Sequence, residues 1–203
     1  MKKILSLAFL MSLLFSSTTY AQPPMMGWAS WNANGTDINE TLIKQTANYM
    51  VSLGLKSAGY NYVNIDDGYF GGRDANGNLQ YNSNFPNGMK SVADYIHSKE
   101  LFAGIYSDMG SNTCSMLYGN YGDKGKGVGL YGHESQDLNL FFNTWGYDYI
   151  KVDYCGGQQQ GLDPKVTYTN VSNIIKNLET TLGRDITYNV CRWTFPGTWV
   201  TSV

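Results

Sequence analysis

The stretch Glu134-Ser135-Gln136-Asp137-Leu138-Asn139-Leu140-Phe141-Phe142-Asn143-Thr144-Trp145-Gly146-Tyr147-Asp148-Tyr149-Ile150-Lys151-Val152-Asp153 sets a helix beside a strand. Residues 134–145 read as the helix and 147–152 as the strand, with Gly146 between them. The same unit recurs on both sides. Residues 39–56 place Leu42, Ile43, Ala47, Met50 and Val51 at helical spacing, with Thr36, Asp37 or Asn39 as caps and Gly54 and Gly59 near the end. Residues 60–65 follow as a strand of aromatic and β-branched residues. Helix 89–99 precedes strand 101–106, and helix 166–182 precedes strand 186–190. With 27–31 as a first strand, the chain carries five strands and four helices.

Strands alternating with such helices define an α/β protein with a parallel sheet built from βα units. Two architectures compete at this point. A doubly wound sheet is complete with five strands, whereas a (β/α)8 barrel needs three more units and about 250 residues. The chain has 203 residues. No Gly-x-Gly-x-x-Gly turn follows the first strand, which weakens a dinucleotide-binding reading. Gly125-Lys126-Gly127-Val128-Gly129 is not a P-loop and reads as a flexible loop, and residues 71–78 as a surface loop or small hairpin.

Composition narrows the class. Hydrophobic residues make up 42% and charged residues 15%, with a formal net charge of −2, which excludes disordered, collagen-like and coiled-coil chains. There is no basic run beyond the N-terminus, so a nucleic-acid partner is not expected. Met1-Lys2-Lys3 and the apolar run 4–15, followed by small and polar residues to Ala21, describe a secretory signal cleaved after Ala21. Residues 22–203 are then an exported domain with no membrane association; an uncleaved anchor is the competing reading. Export makes Cys114, Cys155 and Cys191 disulfide candidates, and spacing alone does not choose the pair. Neither His97 nor His133 is spaced with them as in a zinc site.

In parallel α/β folds, functional groups collect at the carboxyl ends of the strands. Here those ends carry Trp31, Asp66-Asp67, Tyr106 with Asp108, Lys151 with Asp153, and Arg192 with Trp193. Adjacent carboxylates such as Asp66-Asp67 can bind a divalent metal or accept hydrogen bonds from substrate hydroxyls, and Asp is equally common as a turn cap. Lys151 and Asp153 lie two apart on a strand and share a face, so the Lys is expected to keep the Asp ionised and low in pKa. An ionised carboxylate in a cleft is what covalent glycosidic catalysis requires of its nucleophile. Trp28, Trp31 and Tyr106 read as core residues taken singly, yet aromatic walls beside carboxylates match the C–H faces and hydroxyl rim of a sugar.

Together the segments Pro24-Met25-Met26-Gly27-Trp28-Ala29-Ser30-Trp31-Asn32, Asn64-Ile65-Asp66-Asp67-Gly68-Tyr69, Arg73-Asp74-Ala75-Asn76-Gly77-Asn78-Leu79, Phe85-Pro86-Asn87-Gly88-Met89-Lys90, Gly104-Ile105-Tyr106-Ser107-Asp108, Thr113-Cys114, Gly132-His133-Glu134 and Lys151-Val152-Asp153-Tyr154-Cys155 resemble, in order, the motifs of glycoside hydrolase family 27. That family contains secreted and lysosomal α-galactosidases and α-N-acetylgalactosaminidases. The resemblance implies a catalytic (β/α)8 barrel followed by a β-sandwich, with this chain covering about five strands of the barrel. It also implies a retaining mechanism without metal or cofactor, acting on terminal α-galactosides. By position Asp153 is similar to the nucleophile and Lys151 to the family's sugar-binding lysine. Asp66 and Asp67 are similar to the pair that grips the sugar's distal hydroxyls, and Trp31 and Tyr106 to pocket walls. The resemblance pairs Cys114 with Cys155 and leaves Cys191 free. Arg192 stands where many α-galactosidases carry a Glu near the sugar's 2-position. The family's acid/base Asp follows a sixth strand, beyond Val203. The alternative is a non-catalytic or degenerate carbohydrate-binding protein.

Overall fold

A computed structural model describes residues 24–118 and 121–192. The signal segment 1–21 and Trp193 lie outside the described residues. Five strands form one parallel sheet: β1 Gly27–Ala29, β2 Tyr62–Asn64, β5 Phe102–Asp108, β6 Tyr149–Asp153 and β7 Thr187–Val190, adjacent in that order. The intervening β3 Phe70–Arg73 and β4 Leu79–Tyr81 pair antiparallel as a separate hairpin. Because spatial order follows chain order without a reversal, the sheet winds in one direction, as a barrel wall does. A doubly wound sheet would reverse at a switch point. The fold is therefore the (β/α)8 type, represented by five of its strands.

Each crossover carries a helix whose apolar face meets the sheet. In α2 (Glu40–Ser52), Ile43, Ala47 and Met50 are buried; Asn39 caps it, its side chain accepting from Leu42 N–H at 2.9 Å. In α3 (Gly88–His97), Met89, Val92, Ala93 and Ile96 are buried at i, i+3, i+4 and i+7. In α7 (Pro164–Leu182), Tyr168, Val171, Ser172 and Ile175 repeat that spacing. It starts with an Asp163 cap and Pro164, and ends at Gly183 with φ 66°. Between them α5 (Glu134–Asn139) runs into a π turn, Leu140–Thr144, that buries Phe141 and Phe142. Each fully buried aliphatic side chain contributes roughly 1.5–3 kcal/mol of transfer free energy. Ile150 and Val152 point to this helix layer and are fully buried, while Lys151 and Asp153 point to the opposite face and are partly exposed.

Two sequence expectations change. The first strand stops at Ala29, and Trp31 instead opens a short helix, α1 (Trp31–Asn34), because Ser30 already turns into the αR region (φ −71°). The glycine run 125–129 is packed in place. A Cβ on Gly129 would meet Gly110 O at 2.0 Å, and one on Gly125 would meet Thr113 Oγ1 at 2.1 Å. Arg73 also donates to the carbonyls of Gly127 and Gly129 at 3.1 and 2.9 Å. Those glycines are small because backbone crosses there, and the loop is anchored.

Candidate active site

A cavity of about 460 Å³ opens at the carboxyl ends of the five parallel strands. The parallel register sets Tyr106 opposite Lys151 and Asp108 opposite Asp153, so two strands deliver their polar residues to one level. Lys151 holds the centre of the cavity. Its Nζ donates to Asp66 Oδ2 at 2.9 Å, lies 3.6 Å from Asp153 Oδ2 and sits 5.3 Å from the centroid of the Tyr106 ring. Burial works against its charge, but Asp66 and Asp153 outweigh burial and hold its pKa above the ordinary lysine range.

Asp153 behaves differently from the expectation that Lys151 would hold it low. Burial is the largest influence on its carboxyl and raises its pKa; Lys151, Cys191 and Tyr106 favour the ionised form without cancelling that cost. The carboxylate is poorly solvated, with Lys151 as its counter-charge. Asp153 Oδ2 is also 3.2 Å from Cys114 Sγ. That sulfur is bonded to Cys155, so the contact is van der Waals packing against the disulfide. Closing a loop of 41 residues contributes about 3–4 kcal/mol in the chain-entropy account and makes a fixed wall for the cavity. Cys191 is free, and its thiol is pushed up to about 12 by burial and by the Asp153 carboxylate. It stays a thiol at neutral pH.

The structure brings Trp31, Asp66, Tyr106, Lys151, Asp153, Arg192 and the disulfide together on the cavity wall. Asp67 does not itself line the cavity, and its Oδ1 is buried without a hydrogen-bond partner among the described residues. It is 1% exposed and accepts from Ser115 N–H at 3.0 Å. Burial raises its pKa, while Thr113 and Ser115 favour its charged form. Arg192 lays its guanidinium 4.8 Å from the centroid of the Tyr154 ring; among the described residues its Nη1 is buried without a hydrogen-bond partner.

Three wall residues were given no role from the sequence, Asn32, Tyr118 and Tyr154, and Cys191 was read only as a free thiol. Asn32 and Tyr154 follow named residues directly, so their position in the chain is a usable signal, whereas Tyr118 sits in a stretch without periodicity. Asp108 has a supporting position. Its carboxylate accepts backbone N–H bonds from Gly110 at 2.7 Å, Cys155 at 2.7 Å, Gly156 at 2.9 Å and Gly157 at 3.3 Å. It thereby fixes the start of α6 (Cys155–Gln159) behind the disulfide. Burial pushes its carboxyl up to about 7 although the four donors favour the ionised form. Asp108, Cys114 and Cys155 are close enough to suggest a metal cluster, but both sulfurs are spent in the disulfide.

A one-way parallel α/β wall with carboxylates, a lysine and aromatic rings at its carboxyl rim defines a barrel of the (β/α)8 class with its cavity at the strand ends. Residues 23–201 match the family described as Alpha galactosidase A, and the chain belongs to that α-galactosidase family of glycosidases. It is 42% identical over 174 residues to an α-galactosidase A of Cellvibrio japonicus, covering 85% of this chain and 39% of that protein. It is 44% identical over 183 residues to α-galactosidase 2 of Arabidopsis thaliana, covering 88% of this chain and 42% of that one. The solved α-galactosidase of Saccharomyces cerevisiae superposes with a TM-score of 0.70 at 35% identity, over 84% of this chain and 35% of that one. The chain thus spans about two fifths of the length of these curated relatives. No helix among the described residues is long and apolar enough to cross a membrane.

Proposed function

We propose that the cavity is the sugar-gripping part of a retaining α-galactosidase site in which Asp153 is the nucleophile. The observation that carries this reading is Lys151 bridging Asp66 and Asp153 at the mouth of the barrel wall. Asp153 attacks the anomeric carbon of a terminal α-galactoside while the acid that the resemblance places after a sixth strand protonates the leaving oxygen; water, deprotonated by that same group, then hydrolyses the glycosyl-enzyme. Asp66 and Lys151 hold sugar hydroxyls, Trp31 and Tyr106 face the ring, and Arg192 stands where the group at the 2-position is read. Asp67 joins Asp66 at the sugar's distal hydroxyls through its unpartnered Oδ1, while its Oδ2 fixes the 113–115 segment through Ser115. No metal or other cofactor is required by this chemistry. A relative from Saccharomyces cerevisiae has been solved with raffinose, which is in keeping with an α-galactoside substrate.

The sign of the Lys151 effect gives a test. Lys151 lowers the Asp153 pKa against burial, so its removal lets that pKa rise. In Lys151→Met, made in a form carrying all eight barrel strands, the acid limb of kcat/KM is expected to move to higher pH; a limb that stays in place or moves down contradicts the assignment.

A second reading, sugar binding without turnover, is favoured for the 203-residue chain taken by itself. Retaining hydrolysis needs two carboxyls about 5–5.5 Å apart. Among the described residues, Asp66 is engaged as the acceptor for Lys151, and Asp108 is committed to four backbone donors. Neither is free to protonate a leaving group, and the resemblance expects that acid after a sixth strand. Purified 203-residue chain is expected to give no appreciable turnover of an aryl α-galactoside; Asp153-dependent turnover would contradict this.

The basic start and apolar run before Ala21, with a disulfide in the domain, support export through a cleaved signal. Protein recovered outside the cytoplasm is expected to begin at Gln22, as read by N-terminal sequencing, and retention of Met1 would refute cleavage.

A further inference from the structure

A second depression, of about 320 Å³, lies between the β3–β4 hairpin and α5 with its π turn, and shares no lining residue with the first cavity. Its character differs from the catalytic rim. Four amide side chains, Asn78, Gln80, Gln136 and Asn139, line it beside the rings of Tyr81 and Trp145, and no lining residue is ionised. Tyr81 is 41% exposed, and its ring meets Trp145 edge-on at a centroid distance of 6.3 Å.

The groove is also held in shape. Gln136 Nε2 donates to Asn78 Oδ1 at 2.6 Å and Gln80 Nε2 to Asn78 O at 3.1 Å. Beneath them Arg73 clamps the hairpin to the helix through two bonds to buried Asp137, at 2.9 and 2.5 Å. Gln80 Oε1, Asn139 Nδ2 and Trp145 Nε1 take no part in these bonds. They belong to lining residues and leave one acceptor and two donors outside these bonds.

We propose that this groove is an auxiliary binding site for a neutral oligosaccharide segment. Asn78 and Gln136 are spent on one another and on Asp74 and His133, while Gln80 keeps an acceptor and Asn139 a donor, which suit a sugar's hydroxyls, and the exposed Tyr81 ring suits its C–H face. With no ionised wall residue the groove has nothing to pair with a phosphate, a uronate or a charged peptide. Rigid walls reduce the ordering cost of binding. The inference builds on the carbohydrate reading above by giving a polymeric substrate a second point of attachment, and it makes no use of Asp153.

Native electrophoresis through gels containing soluble glucomannan, β-galactan or galactomannan tests it, with polygalacturonate as the charged control. The 203-residue chain is expected to be retarded by at least one neutral polymer and not by polygalacturonate, with retardation unchanged in high salt. Asp66→Ala, which disables the first cavity, keeps the retardation. Tyr81→Ala and Gln80→Ala lose it while keeping the wild-type thermal midpoint. Gln80 is exposed on the hairpin, so its variant decides the matter if Tyr81→Ala fails to fold. Absence of retardation in every neutral polymer, retardation by polygalacturonate alone, its persistence in folded Gln80→Ala, or its loss in Asp66→Ala overturns the inference. The last outcome would assign the binding to the first cavity and leave the glycosidase reading intact.

Discussion

Replacing Asp153 by Asn, in a form of the protein carrying all eight barrel strands, is expected to lower kcat/KM for an aryl α-galactoside by about 10⁴-fold or more. The substitution changes one oxygen for an NH2 group of equal size, so the packing against the Cys114–Cys155 disulfide is kept. What disappears is the nucleophile and the negative charge opposite Lys151. Asp66 remains 2.9 Å from Lys151, so that side chain stays neutralised and the cavity keeps its shape. Sugar binding should therefore fall far less than turnover, and thermal unfolding should change little. A variant that folds and retains a tenth of the wild-type rate would remove Asp153 from the chemistry.

Asp108→Ala is expected to cost more than about 3 kcal/mol of stability and to lower the thermal midpoint by about 10 °C. Four backbone N–H groups converge on this carboxylate in a fully buried place, and Ala supplies no acceptor for any of them. The surroundings cannot close over the gap. A Cβ on Gly110 would already lie 2.0 Å from the Gly156 carbonyl carbon, so the two segments are in backbone contact. Since Cys155 opens α6 and carries half of the disulfide, the cavity wall should loosen with it. Chemical denaturation of wild type, Asp108→Ala and Asp108→Asn measures this. Asn keeps one acceptor oxygen and should fall between the other two, and an Ala variant within 1 kcal/mol of wild type would contradict the bracing role.

Much of this was legible in the chain. The five sheet strands and their four crossover helices follow from apolar periodicity and from Gly and Asp punctuation, which are local signals. Placing Lys151 and Asp153 on one face needs only the two-residue repeat of a strand. The side of the sheet on which helices pack is equally local, since Ile150 and Val152 alternate with them. Other features depend on partners distant in sequence. Trp31 leaves the strand because Ser30 is tied across to Asp66, its Oγ accepting from Asp66 N–H at 2.9 Å, a contact between residues 36 apart. Asp66 and Asp67 are adjacent and both buried, but Asp66 pairs with Lys151 on the cavity wall while one Asp67 oxygen accepts from Ser115. Adjacency alone could not divide them. The upward shift of Asp153 is a burial effect, and a lysine two residues away says nothing about the solvent displaced around both. Gly125 to Gly129 looked mobile by composition; their small size instead admits the backbone of Gly110 and the Thr113 side chain.

The direct test of the whole account is to trap the covalent intermediate. A fluorinated galactosyl fluoride, whose leaving group departs without protonation, would be incubated with the eight-strand protein, and the labelled peptide mapped by mass spectrometry. A single galactosyl adduct on Asp153 is expected. An adduct on Asp66, or on any other carboxylate, would contradict it.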